Sequence, residues 1–441
     1  MNLATPEKVR KLQTALHAKA KGSPNSRSYL LYDKMYREDV LCFAYRCCAA
    51  NGGAAGVDGQ TFTDIEAYGI DRWLGELTQE LRTKRYRPQA ARRVWIPKLD
   101  AKQRPLGIAT IKDRVVQLSA VFVLGSILEA DVPDELYAYR PGRSALDAVR
   151  TARALIEHGH PQVVDADLSA YFDNIPHAEL MKSVARRVSD QHVLRLIKMW
   201  LQAPVEEHDE RGHQHRTTRN KDGGRGTPQG SPLSPLLSSL YMRRFVLGWK
   251  KLGYEQRLDA RIVASADDFV ICCRGTAQEA MPAMRELLQR LRLTINEAKT
   301  HIRRLPEDSF DFLGYTIGRC YAFRTGKPYI GMRPSTKRIS RLCREISAET
   351  GRRWLNHEVQ DKVTALNRML QGWANYFCLG PVSRAYRKVD LHARYRLRQC
   401  LRRKFRWPGQ GYSRYPDRYL YDTLGLVRLE AQRRSVPWAT A

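Results

Sequence analysis

Short apolar runs alternate with longer amphipathic stretches through the middle of this chain. Val163 and Val164 open one run that ends at Asp167, the pattern of a strand delivering a carboxylate to its C-terminal edge. Ile262–Ala264 and Phe269–Cys272 form two more, flanking Ser265-Ala266-Asp267-Asp268, and the spacing predicts a hairpin with acid at its tip. Between them lies GTPQGSPLSPLLSSLYM (226–242), a glycine-proline segment leading into a helical run. Residues 86–320 alternate strand and helix patterns, residues 31–85 read as helices separated by NGGAAGVDG, and residues 335–405 turn helical. Residues 1–30 are polar and basic and end in KGSPNSRS, which predicts a flexible lead. Residues 406–441 contain RWPGQGYSRYPDRY, whose prolines, glycines and tyrosines predict an extended surface instead of a helix. The longest apolar stretch, 115–130, is broken by Gln117, Ser119 and Ser126 and is too short to span a bilayer. With no signal segment at the N-terminus, a cytoplasmic protein without a membrane partner is expected.

Charge narrows the partners. Lys plus Arg number 75 against 46 for Asp plus Glu, a net +29 over 441 residues. Such an excess implies a polyanion, and nucleic acid is the usual one. It is densest late in the chain, where residues 381–410 hold a single acid, Asp390. The nine cysteines are scattered without a CxxC, which predicts reduced thiols and neither a disulfide framework nor a zinc module. His208, His213 and His215 lie in a polar insertion with acids interleaved and no cysteine nearby, a poor metal set.

The acids carry the sharper chemistry. Adjacent side chains on a regular strand point to opposite faces, so Asp267 and Asp268 can converge only where the chain turns, and a hairpin tip supplies the turn. Nucleotidyl transfer by two magnesium ions, roughly 3.5–4 Å apart, needs carboxylate oxygens of this kind. Asp167 with Asp267, supported by Asp268, suffices as the protein's share. A lone DD pair at a hairpin turn is most often merely solvated; three segments in this order are a different matter.

These segments resemble the palm motifs of reverse transcriptases, and the wider chain is similar to the reverse transcriptase and maturase proteins encoded by bacterial group II introns. The likeness extends through LYDKMYREDV (31–40), GAAGVDGQTF (53–62), WIPKLDAKQRPLGIATIKDRVVQ (95–117), YRPGRSALDAV (139–149), LTINEAKTHI (293–302), FDFLGY (310–315), LNRMLQGWANYF (366–377) and YDTLGLVRL (421–429). It implies an α+β right-hand polymerase. Its parts would be an N-terminal extension and fingertip region (1–85), a fingers and palm reverse transcriptase domain (86–325), a helical thumb or maturase domain (326–405) and a basic nucleic-acid-binding segment (406–441). No HNH-type nuclease is expected after LGLVRL.

The resemblance also implies roles. Asp167, Asp267 and Asp268 would hold two Mg2+ ions and be catalytic. Lys98 and Arg104 would grip the triphosphate of an incoming dNTP, a point charge beside a planar fork. Phe172 would bar a 2′ hydroxyl, Gln229 and Gly230 would let backbone approach the template base, and Lys299 would protonate the leaving pyrophosphate. Arg140, Arg143, Arg396, Arg403 and Lys404 would contact nucleic acid. Ser265 stands where the family usually has tyrosine, removing an aromatic platform and leaving the carboxylates, and Ser239 replaces an asparagine. The implied activity is RNA-directed DNA synthesis on an RNA template with a DNA primer, joined to splicing of group II intron RNA and insertion into target DNA. Two other readings fit the same residues: a maturase whose polymerase is weakened by Ser265, and a related polymerase serving host repair or phage defence.

Overall fold

The computed structural model describes residues 3–97, 103–208, 214–322 and 324–432. Its strands, in chain order, are β1 (Ala91–Pro97), β2 (Gln103–Ile108), β3 (Gln162–Asp167), β4 (Val205–His208), β5 (Gln214–Thr217), β6 (Ala260–Ser265), β7 (Asp268–Cys273), β8 (His301–Arg304), β9 (Phe310–Phe312), β10 (Tyr315–Tyr321) and β11 (Pro328–Pro334). They make three sheets, ordered β2-β1-β4-β5, β6-β7-β3-β8 and β11-β10-β9.

The central sheet, β6-β7-β3-β8, is wholly antiparallel, and its strands β6, β7 and β3 are largely buried on both faces. Val164, Ala166, Phe269 and Ile271 point into the largest core, which the helices Ile111–Glu129 and Ser234–Lys251 help to fill. Val163, Val263, Val270 and Cys272 point the other way, into a second core closed by Phe310, Phe312, Tyr315 and Met332 of the β9–β11 sheet. Two-sided burial explains why these strands read as unbroken apolar runs instead of alternating ones.

A third core gathers the helices Thr336–Glu349, Val359–Tyr376 and Ser383–Lys404. Tyr415, Leu420, Leu426 and Leu429 are buried in it as well. The described part of the 406–441 segment is therefore not an extended open surface. It turns through a π-helical stretch (Tyr419–Thr423) and a short helix (Leu429–Gln432), because its leucines find a core to enter. Asp390 fastens the turn by accepting hydrogen bonds from the Leu429 and Glu430 N–H groups.

The expected flexible lead is likewise ordered. Glu7–Gly22 is a helix whose Val9, Leu12, Leu16 and Ala20 recur at helical spacing and pack inward. Gln13 and His17 reach the Phe122 and Ser126 carbonyls across the interface with Ile111–Glu129. The KGSPNSRS stretch is strapped down by the buried Arg187, which donates to the carbonyls of Ala20, Ser23 and Pro24 and pairs with Asp131. Asp190 caps the helix Gln191–Leu201 and also accepts from Leu31 and Tyr32 N–H. The sequence-level reading overlooked that polar turn residues are ordered once a buried guanidinium collects their carbonyls.

The histidine insertion becomes the β4–β5 hairpin. His213 lies outside the described residues. Among the described residues no helix is long and apolar enough to cross a membrane, and the 115–130 stretch belongs to the buried helix Ile111–Glu129.

Candidate active site

The register of the central sheet builds the site. Asp167 is the last residue of β3 and lies directly opposite Asp268, the first of β7, so both side chains leave the same face. Asp268 in turn faces Ser265 across the β6–β7 hairpin, leaving Ala266 and Asp267 as its two-residue turn. Ala266 takes a left-handed conformation at φ 61°, the sign that such a turn demands. Three carboxylates thus meet at one end of a rigid, buried sheet.

Their electrostatics mark them as a strained set. Burial raises the Asp267 carboxyl, Asp167 adds to the effect, and Arg104 and Lys299 oppose it. Burial also pushes Asp268 up to about 7, with Asp165, Asp267 and Asp167 reinforcing the shift. Asp268 accepts a hydrogen bond from Leu313 N at 3.3 Å, which ties the acidic hairpin to the β9–β10 turn. Leu313 O accepts in turn from the Tyr376 hydroxyl at 2.8 Å, so the tie continues into the helix Val359–Tyr376.

The remaining predicted residues fall around this edge. Lys299, in the turn Glu297–Lys299, stands 3.0 Å from Asp167 Oδ2, and Asn296 Nδ2 donates to the same oxygen at 3.2 Å. Arg104 Nε donates to Gln229 Oε1 at 3.1 Å, and Gln229 Nε2 donates to Asp173 Oδ2 at 3.2 Å. Fingers strand β2, the glycine-proline loop and the segment after Asp167 are thereby linked. Gly230 adopts φ 106°, and a Cβ there would come within 2.6 Å of Gly107 O. Glycine is thus required by close packing of backbone on backbone. Phe172 is half-buried, its ring 5.7 Å from that of Tyr171, and its carbonyl accepts from Thr227 N at 2.7 Å. Lys98 lies outside the described residues.

Several residues expected from sequence to contact nucleic acid have partners within the fold. Arg140 is buried and donates to Glu129 and to the carbonyls of Pro133, Leu136 and Val132, acting as a clamp on its own loop. Arg143 pairs with Asp134 at 2.5 Å and lies over the Tyr137 ring. Arg396 donates to Ser347 O and Thr350 Oγ1, and Lys404 to Leu355 O and His357 O, closing the end of the helix Thr336–Glu349 and the loop that follows it. Arg140, Arg396 and Lys404 are held largely by backbone carbonyls, which a cation satisfies well. Arg403 makes no such bond among the described residues.

Sequence reasoning also missed members of the site. Asp165, two residues before Asp167 on the same face of β3, is pushed up to about 6 by burial, with Asp311 and Asp167 adding to it and Arg303 opposing. Its signal was the D-x-D spacing at strand period two. Asn296 and Asp173 gave no such signal, because loop geometry alone brings them in.

The donor set suits magnesium. It offers hard carboxylate oxygens, mutually destabilised by desolvation and like charge, that a divalent cation would relieve. Among the described residues no three His, Cys, Asp or Glu form a metal site by themselves.

Comparison with known proteins places the chain. The reverse transcriptase (RNA-dependent DNA polymerase) model matches residues 96–317, and the group II intron, maturase-specific domain matches residues 339–419. Protein YkfC of Escherichia coli is 32% identical over 349 residues, covering 70% of this chain and 88% of that protein. Group II intron-encoded protein LtrA of Lactococcus lactis is 33% identical over 226 residues, covering 50% of this chain and 35% of LtrA. Among solved structures, a partial Cas6-RT-Cas1--Cas2 complex matches at 22% identity with a TM-score of 0.35, over 60% of this chain and 42% of that one. The three carboxylates on the palm edge fall within the polymerase match and the basic helices within the maturase match, so the chain belongs to the reverse transcriptase family, in its group II intron maturase form.

Proposed function

We propose that this protein copies RNA into DNA from a DNA primer with two Mg2+ ions at Asp167, Asp267 and Asp268, and that it also binds group II intron RNA to promote splicing and insertion into target DNA. The observation that carries the catalytic half is the convergence of Asp167, Asp267 and Asp268 at one sheet end. Bound magnesium would supply Lewis-acid polarisation of the attacking 3′ hydroxyl and neutralisation of the leaving pyrophosphate. The chain's own residues do the rest. Arg104, held by Gln229, presents a planar fork toward the triphosphate of a dNTP, and Lys98, six residues earlier in the sequence, adds a point charge. Phe172 borders the sugar and excludes a 2′ hydroxyl by its bulk. Lys299 delivers a proton to pyrophosphate as it departs, a role supported by its standing 3.0 Å from Asp167.

The test is primer extension on poly(rA)/oligo(dT) with Mg2+, beside the same reaction in EDTA. Magnesium-dependent extension with dTTP is expected, and none with the chelator. Splicing of a group II intron RNA at limiting Mg2+ should rise with added protein. Splicing help without any extension would leave only the RNA-binding reading.

A further inference from the structure

Eight non-glycine residues with positive φ occur among the described residues, and four of them ring the carboxylates. Ala266 turns the acidic hairpin. Leu313 gives its N–H to Asp268, and Ala170 (φ 46°) shapes the bend between Asp167 and Phe172. The fourth is Tyr139 at φ 61°, and nothing in the chemistry above uses it. A left-handed conformation is a genuine outlier for so bulky a side chain, and such strain persists only where the surroundings impose it.

The surroundings are identifiable. Leu136 forms a parallel bridge with Ala264, Tyr137 N donates to Ala264 O, and Ala264 N donates to Glu135 O, each of the last two at 2.9 Å. This segment is laid along the free edge of β6 and runs parallel to it, so Tyr139 comes level with the Ala266-Asp267 turn. Arg140, clamped to four partners on residues 129–136, locks the loop from below. The ring that this scaffold presents is 52% exposed, whereas neighbouring Tyr171 is 2% exposed with its hydroxyl on Ser238 O. Burial raises the Tyr139 hydroxyl, Asp267 adds to the effect and Arg104 opposes it. With the bridge to β6, this sets Tyr139 near the acidic turn and Arg104 of β2. The clamped, strained loop exists to hold an open aromatic face there.

The geometry points to Tyr139 as a positioning residue for the incoming deoxynucleotide, its ring packing against the nucleotide as Arg104 takes the phosphates. This rests on the polymerase reading. It also gives this active site an aromatic surface although Ser265 occupies the usual tyrosine position.

Tyr139→Gly removes the ring and suits the left-handed backbone, so it leaves the loop intact. Tyr139→Phe keeps the ring. The Kd of dTTP should be measured on a complex of enzyme with poly(rA) and a chain-terminated oligo(dT), where no chemistry follows. Tyr139→Gly should weaken dTTP about tenfold, the loss expected of one aromatic stack, and Tyr139→Phe should bind as wild type does. In turnover, KM for dTTP should rise similarly with kcat within about threefold of wild type. Primer–template affinity without dTTP should not move. An unchanged dTTP Kd in the glycine variant overturns the assignment, as does a fall in kcat with KM unaltered or a loss confined to primer–template binding. A wild-type complex that gains nothing from dTTP would instead overturn the polymerase reading beneath it.

Discussion

The acidic edge of the central sheet and the basic helix Ser383–Lys404 are both crowded with like charge, yet they resolve it in opposite ways. At the palm edge, burial and neighbouring carboxylates raise Asp165, Asp267 and Asp268, and the protein supplies few counter-charges, Arg303, Lys299 and Arg104 among them. In the helix the cations are largely consumed within the fold. Arg394 and Arg398 hold Asp417, Arg402 holds Gly409 O, and Arg396 and Lys404 close the end of a neighbouring helix and its loop. A cluster left electrostatically unsatisfied points to a missing ligand. A cluster satisfied by carbonyls points to architecture, however large its formal charge.

The largest expected effect tests the unsatisfied cluster. Asp167→Asn or Asp267→Asn should lower primer extension about 10³-fold or more, because each removes charge stabilisation needed only during reaction. Filter-binding affinity for primer–template should stay close to wild type. Near-normal extension by either variant would show that the carboxylates are structural. The Phe172→Ala variant should have a smaller effect on rate and a marked one on choice. Its ratio of rNTP to dNTP incorporation should rise, and an unchanged ratio would put the sugar discrimination elsewhere.

The same contrast explains what could be read from sequence. Asp167 and the Ser265–Asp268 hairpin were readable because strand period, apolar runs and a two-residue turn are local properties. The helices between Thr336 and Lys404 were readable from their periodicity. The internal partners of Arg140 and Lys404 were not readable because most of them are backbone carbonyls, which have no letter in the sequence. The lead 1–30 was misread for a related reason. Arg187, which holds it, lies more than 150 residues away from Ala20–Ser26 in the chain. Tyr139 was invisible because its position depends on a bridge to β6 and not on any neighbour in sequence.

A comparison inside the basic helix sharpens the point. Arg384, Arg387 and Lys388 are exposed, on the same side as Leu391 and Tyr395, which are 50% and 47% exposed. This face, with cations beside an open aromatic, suits RNA backbone and an unpaired base. Replacing the three cations with Gln should flatten the slope of log affinity against log salt by about two units, since each phosphate contact contributes about 0.7–0.9. Arg396→Gln with Lys404→Gln should leave that slope nearly unchanged and lower the thermal midpoint, because each buried partner left unpaired costs about 1–3 kcal/mol. If the second pair carries the salt dependence and the first three do not, the division between architecture and contact is drawn in the wrong place.

The smallest effect concerns pH, and its sign follows from the acids. Asp165 at about 6 and Asp268 at about 7 both lie above the value of an unfolded aspartate, about 3.9. The native state therefore binds more protons than the unfolded one between roughly pH 4 and 7, and stability from these groups is lost as pH rises through that window. Other carboxylates act in reverse, Glu179 among them at about 2, so the whole-protein curve is not the readout. The difference between Asp268→Asn and wild type isolates one site. Asparagine cannot ionise, so its thermal midpoint relative to wild type should climb by a few degrees from pH 5 to pH 8 in EDTA. Added Mg2+ should shrink that gap at pH 8 by stabilising only the ionised aspartate. A gap that ignores pH would mean that Asp268 is solvated and not desolvated beside its neighbours. A gap that responds to pH but ignores Mg2+ would separate the buried acid, held by Leu313 N, from the two that face the ion.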